Sequence, residues 1–321
     1  MKSIDADRIS RRMFRLNEIE TSPGPFCMSF GYDLRPLMDS IKAIGLINEP
    51  FVIQGRDGQI RPVIGFRRIE ALKALGVKTV TCKDLSETDL SEFDCLVLGL
   101  LDNLATRKFN EVEKGMILRR LVKYVARDQV LKYYMPLLGL PPRENTLEVY
   151  FALEDLDLEI KESLIREQVS LKAAEALLHM ESEAALGLCR WIKELRLSFN
   201  YQLQFIDYIM DISSMEDKTV TEVLGTLGKM LEDKEINRPQ RVKRLFKELR
   251  RRRYPSLYRA EQEFKSKIKR LSLPEDVRIK HPPNFEGPKF LMEIWFHDGQ
   301  DLRRKLNQLH STQGIEGIIG P

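Results

Sequence analysis

The sequence predicts a multidomain α+β chain with a small α/β domain first, an all-helical middle, and a β-β-α unit at its end. Three observations lead there. Short apolar runs alternate with helical patterns over the first part of the chain. Helical periodicity then continues from about residue 87 to about residue 249, and two strand-like runs return beyond Pro274. At 321 residues, 43% hydrophobic and 31% charged, the chain is long enough for two or three ordinary cores. No stretch reaches the roughly 18 consecutive apolar residues of a membrane span. The charged start MKSIDADRISRRMFRL lacks an apolar leader core, so a cytoplasmic, membrane-free protein is expected.

In order, Leu34, Leu37, Ile41 and Ile44 recur at helical spacing until Gly45, and Pro50 opens the apolar run FVI. A turn at Gly55 and Gly58 leads to a second strand, IRPVIG. FRRIEALKALG is a helix ended by Gly76, and KTVTCKDL a third strand. Breaks in the long helical block are expected at Pro136, at Pro141 and Pro142, and around Ser213 and Ser214. The last unit reads as strand VRIKH, turn PPNFEGP, strand KFLMEIWF and helix DLRRKLNQL. Trp295 and Phe296 are expected on opposite strand faces.

Four scattered cysteines form no CxxC pair, and four histidines lack metal-ligand spacing, which argues against structural zinc and a disulfide framework. The net charge of +4 is unevenly spread. Residues 238–270 hold fourteen Lys/Arg against three Glu, so the rest of the chain sums to −7. Such a stripe is the footprint of a phosphate-backbone contact, although a solvated linker or a helix paired with acidic neighbours would also produce it. Residues 150–235, with eighteen acidic residues against nine basic, would repel DNA.

Gly65, Phe66, Arg67 and Arg68 stand where a strand ends and a helix starts. Backbone N–H groups, the helix dipole and forked arginine donors there suit a phosphate; a plain helix start with surface arginines is the alternative. The segments DLRPLMDSIKAIGLINEP, VIGFRRIEALKALG and DNLATRKFNEVEKG follow one another in an order and spacing that resemble the ParB/sulfiredoxin-like domain of ParB proteins. The resemblance implies that Gly65, Arg67 and Arg68 hold the phosphates of CTP, with Asp102 and Asn103 as phosphate and Mg2+ partners and Asp102 as the metal ligand. Three positions depart from the family pattern. Phe66 replaces an acidic residue, Asp102 replaces Glu, and Thr106 stands where the family has arginine, with Arg107 displaced by one. Binding with weak or no CTP hydrolysis is therefore expected. No thiol at position 66 supports sulfiredoxin chemistry.

The resemblance extends further. RDQVLKYYMPLLGLPPRENTLEVYFALEDL is laid out like a degenerate helix-turn-helix, with Arg143, Asn145 and Thr146 as DNA-reading candidates and Glu144 and Glu148 lying among them. The terminal unit, with Leu302, Leu306 and Leu309, resembles the ParB dimerisation module. The preceding stripe, above all Arg250, Arg251, Arg252 and Arg253, suits sequence-independent DNA contacts. The expected layout is a nucleotide domain at 1–108, a helical DNA-binding domain at 109–237, a basic linker or helix at 238–273 and a dimerisation module at 274–321. The expected function is partition of a bacterial chromosome or plasmid by a homodimeric, nucleoid-associated, CTP-gated DNA clamp, with a ParA-like ATPase as a possible partner. A transcription regulator or partition adaptor without nucleotide turnover, and a ParB-like nuclease, are the alternatives.

Overall fold

The computed structural model describes residues 9–21, 24–228, 236–287 and 289–318, and is mostly helical with two small sheets. It divides into two compact units, Met1–Leu203 and Gln204–Pro321.

The first unit begins with a four-stranded sheet of β1 (Arg11–Arg15), β2 (Phe51–Gln54), β3 (Ile60–Ile64) and β4 (Thr79–Asp84), in the order β1-β4-β2-β3. β1 runs antiparallel to β4, β2 antiparallel to β3, and β2 parallel to β4. Pro62 is tolerated because β3 is an edge strand, where a missing N–H need not cost a ladder bond. Helices α1 (Arg35–Ile44) and α2 (Phe66–Ala74) complete the domain, whose core joins Phe14, Leu16, Val52, Ile69, Leu72 and Val80. Gly45 and Gly76, both at positive φ, follow the two helices where the sequence expects them to stop. Strand β1 is absent from the sequence reading. In RRMFR only Phe14 is buried while Met13 is 68% exposed, so no inward alternation marks it.

The helical block starts with α3 (Glu92–Thr106) and α4 (Glu111–Leu121), each opened by a reciprocal capping box, Ser91 with Asp94 and Asn110 with Glu113. A composite helical segment follows: Arg127–Gln129, a π turn at Val130–Tyr134, then Met135–Leu137. The expected break at Pro136 does not occur: this proline lies inside the continuous helical run 127–137, and the π turn before it, where the Met135 N–H donates to the Val130 carbonyl, shifts the ladder around the missing N–H. Pro141 and Pro142 do interrupt the helices. Next come α5 (Glu144–Asp155), α6 (Leu158–Ile165), α7 (Leu171–Leu177), α8 (Ser182–Leu195) and α9 (Phe199–Glu216). The expected break at Ser213 and Ser214 is likewise overturned. Both serines lie inside α9, and the chain leaves the helix at Asp217, φ 51°, with the Ser213 hydroxyl donating to the Lys218 carbonyl at 2.5 Å.

The second unit holds the rest of α9, α10 (Val220–Leu227), α11 (Arg238–Arg253) and α12 (Pro255–Arg270), then β5 (Val277–Lys280), β6 (Leu291–Ile294) and α13 (Gly299–Ser311). The basic stripe is thus two helices meeting at Tyr254. Phe264, Leu271 and Ile279 form the small core, with Phe264 stacked on Phe290 at 5.7 Å. β6 is shorter than the apolar run KFLMEIWF suggests. Trp295 and Phe296 lie beyond it, 48% and 52% exposed, so they do not divide between an interior and an exterior strand face.

In the first unit α4 packs on α5 through Gly115, where a Cβ would stand 2.3 Å from the Tyr150 carbonyl oxygen. A backbone oxygen cannot step aside cheaply. Gly115→Ala is predicted to destabilise the protein by about 1–3 kcal/mol, read as a lower denaturant midpoint; an unchanged midpoint contradicts this packing.

Candidate functional site

The site grows from the turn between β3 and α2. Gly65 caps α2 in the left-handed region (φ 85°, ψ 26°), and a Cβ there would come within 3.2 Å of Pro50 Cα and Cβ. Glycine is therefore required twice, by backbone angle and by space. No side chain caps this helix start, and with the Arg68 N–H turned onto the Gly65 carbonyl at 2.9 Å, the N–H groups of Phe66 and Arg67 are the ones left for another acceptor. α3 approaches β3 at Gly99, where a Cβ would lie 2.7 Å from the Val63 carbonyl oxygen. One turn later Asp102 and Asn103 reach the same place.

All five residues expected at a phosphate site, Gly65, Arg67, Arg68, Asp102 and Asn103, line one cleft of about 210 Å³, together with Phe66, Thr106 and Arg107. Their states differ. Arg68 and Asp102 make no side-chain hydrogen bond or ion pair among the described residues. Asn103 donates Nδ2–H to the Gly99 carbonyl at 2.7 Å and accepts Arg107 Nε–H on Oδ1 at 2.7 Å, so it acts inside the fold.

Arg67 and Arg107 converge on Glu113, which is 1% exposed. Arg67 Nη2 donates to Glu113 Oε1 at 2.8 Å, and Arg107 Nη1 to Oε2 at 2.6 Å. The backbone N–H groups of Phe30 and Asn110 each donate to one of the same oxygens at 3.1 Å. Arg67 also donates to Ser29 Oγ at 3.1 Å, and Arg107 to the Met28 carbonyl at 2.7 Å. Burial, and secondly the charge of Arg107, lower the basicity of Arg67. Its guanidinium lies 4.8 Å from the ring centre of Tyr32, whose phenol burial pushes up to about 12. Phe66 meets Tyr32 edge-on at 6.3 Å.

The departures from the family pattern acquire physical meaning. Thr106 turns its hydroxyl back to the carbonyls of Asp102 and Asn103. Arg107, extended at φ −155° where α3 ends, brings its guanidinium to the cleft instead. Glu113, Arg107, Ser29 and Tyr32 are neighbours of Arg67 that the sequence reading did not place at the site. Asn110 and Glu113 carry a capping-box signal in FNEVEKG, but nothing in the sequence says that the box acid would also take two arginines.

No group of three metal-ligating side chains occurs among the described residues. One open carboxylate, Asp102, fits a magnesium ion that takes most of its oxygens from phosphates and water, and does not fit a protein-only metal cage. The carboxylate cluster of a two-metal nuclease is likewise not assembled among these residues.

In the helix-turn-helix candidate, Arg143 directly precedes α5 without a side-chain capping bond, and Arg143 and Asn145 are exposed while Thr146 is half-buried. Leu147, Tyr150 and Leu153 face inward. Arg127 pairs with both Glu144 and Glu148, which tempers the acidic charge of this helix.

The four-arginine run is not one open patch. Arg252 pairs with Glu216 at 2.7 Å and is 12% exposed; Arg253 pairs with Asp211 and stacks against Tyr208 and Tyr254. Arg250 and Arg251, 47% and 53% exposed, pair with Glu261 and Glu248 at 2.8 and 2.6 Å.

These features define an α/β domain with an anion-type cleft at a strand-to-helix turn, continued by a helical block. No family model matches the chain. It is 30% identical over 178 residues to a "Probable chromosome-partitioning protein ParB" of Chlamydia muridarum, covering 53% of this chain and 60% of that one. A protein of the same name from Campylobacter jejuni is 31% identical over 117 residues, covering 35% and 39%. The matches thus span between about two fifths and three fifths of those relatives. Solved structures of C-terminally truncated Caulobacter crescentus ParB, one complexed with CTP-gamma-S and one with the centromeric parS site, align over 57% and 61% of this chain and 98% of theirs. Their identities are 20% and 18% and their TM-scores 0.27 and 0.33, too loose a superposition to carry an argument. The chain is thus similar, over about half of its length, to proteins named as chromosome-partitioning ParB.

Gly65→Ala is predicted to cost about 1–2 kcal/mol for the left-handed backbone, with further loss from the Pro50 contact. Calorimetric unfolding checks it, and an unaltered transition temperature would contradict the assigned turn.

Proposed function

We propose that this chain is a ParB-type partition protein that binds CTP with Mg2+ in the cleft between Gly65 and Asp102 and double-stranded DNA through its helical block. The observation that carries this reading is the pairing of open charges. Arg68 and Asp102 line one cleft without partners among the described residues, beside an uncapped helix start and the half-committed Arg67. Arg68 and the α2 donors suit phosphate oxygens. Asp102 would ligate magnesium, which supplies charge neutralisation to the phosphates. At about 210 Å³ the cleft is smaller than the roughly 300 Å³ of a small ligand pocket, so it fits phosphates better than a whole nucleotide. Hydrolysis is weak or absent in this reading, because Phe66 offers no acid or base.

The layout proposed is a nucleotide domain at 1–108, helical DNA-binding domain at 109–237, basic helices at 238–273 and dimerisation module at 274–321. Arg143, Asn145 and Thr146 would face bases. In the basic helices Arg250 and Arg251 are the more accessible phosphate contacts, and Arg252 and Arg253 serve the fold. The exposed apolar set Leu291, Met292, Trp295, Phe296 and Leu306 supports a homodimer through the last unit. The names of the relatives support a partition role at the chromosome. A regulator or adaptor indifferent to nucleotide is the second reading, favoured by Phe66 and by the internal commitment of Arg107.

Equilibrium binding of radiolabelled CTP with Mg2+, with and without candidate DNA, tests the proposal. Arg68→Ala is expected to weaken binding by about 10-fold or more, the worth of a hydrogen bond to a charged group, and Asp102→Ala to remove the magnesium dependence. Absence of CTP binding by the wild-type protein with DNA present favours the second reading.

A further inference from the structure

We infer that Glu113 is a resident anion that competes with phosphate for Arg67, and that it thereby sets the affinity of the cleft and ties its occupancy to residues 28–30 and to the start of α4. The inference rests on reading the cleft as a phosphate site, and adds to it the regulation of that site.

The geometry of the carboxylate carries it. Each oxygen accepts one guanidinium N–H and one backbone N–H: Oε1 from Arg67 and Phe30, Oε2 from Arg107 and Asn110. Paired arginine and backbone donors are the set that phosphate oxygens also seek. Glu113 is thus satisfied without ligand, at the back of a cleft whose front is open.

The two arginines are not equivalent. Arg107 spends Nε on Asn103, Nη1 on Glu113 and Nη2 on Met28 and Ser29, which makes it a strut. Arg67 holds Ser29 and Glu113, and its side chain is 31% exposed against 18% for Arg107. A phosphate arriving beside Arg68 can draw Arg67 forward, leaving Glu113 with one guanidinium. Because the same carboxylate holds the Phe30 N–H and closes the α4 capping box, that exchange is felt in both segments.

Glu113→Gln tests this with the sign of the effect. Glutamine preserves the shape and can still serve a capping box, while the competing charge is gone. Calorimetric titration compares CTP with Mg2+ and inorganic tripolyphosphate on the wild type, Glu113→Gln and Glu113→Asp. Glu113→Gln is expected to bind both ligands about tenfold tighter, the scale of one nearby charge, although its ligand-free transition temperature falls. Glu113→Asp, with its charge drawn back by one methylene, is expected to tighten less; if the glutamine variant does not fold, the aspartate variant decides. A merely structural role for Glu113 predicts weaker binding along with lower stability. A wild type that binds CTP and a folded variant that binds it no tighter overturns the inference and leaves the nucleotide reading standing. Tripolyphosphate binding that tightens without CTP binding does the reverse. No binding of either ligand by any form overturns both.

Discussion

The buried carboxylate of Glu113 is the interaction on which the first unit depends. It gathers a loop, through the Phe30 N–H; the phosphate-type helix, through Arg67; the end of α3, through Arg107; and its own helix start, through Asn110. An ionised carboxylate is expensive to bury and is retained where its partners are complete. Removing one partner from such a cluster costs about 3–5 kcal/mol in a fully buried setting, and less here because Arg67 is partly exposed. Three stretches of chain that are distant in sequence, at Phe30, at Arg67 and over 107–113, are therefore held by one side chain of a capping box.

That arrangement also separates charges that build the fold from charges left for a ligand. Arg107 and Asn103 are spent internally, Arg67 is divided, and Arg68 and Asp102 remain open among the described residues. The cleft holds three arginines against two carboxylates, counting Glu113 behind it. The same distinction applies in the second unit. A run of four arginines looks uniform as sequence, yet Arg252 and Arg253 turn inward onto Glu216 and Asp211 while Arg250 and Arg251 stay outside on weaker, solvent-screened pairs. Charge density in a sequence measures potential; the pairing decides what is available.

Much of this was legible in the amino-acid order. β2, β3, β4, α1 and α2 are visible because glycines and prolines punctuate runs of clear period, and the five cleft residues come together because the turn at Gly65 and the third segment lie on adjacent elements. What was not legible has definite causes. β1 buries one side chain of five, so its strand character comes from pairing with β4 rather than from its own pattern. Ser213 and Ser214 are poor helix formers kept helical within α9, and Pro136 is accommodated by the π turn at Val130–Tyr134. The roles of Arg107 and Glu113 depend on where α3 ends and α4 begins, a matter of one residue that no periodicity resolves.

The central claim is that phosphate enters in front of Arg68 and Arg67 while Arg107 stays in the framework. Side-chain nitrogen NMR of the arginine guanidinium groups, followed during titration with CTP and Mg2+, addresses it directly. The account predicts large shifts at Arg68, smaller ones at Arg67 and the least at Arg107; saturation that leaves Arg67 and Arg68 unmoved would contradict it.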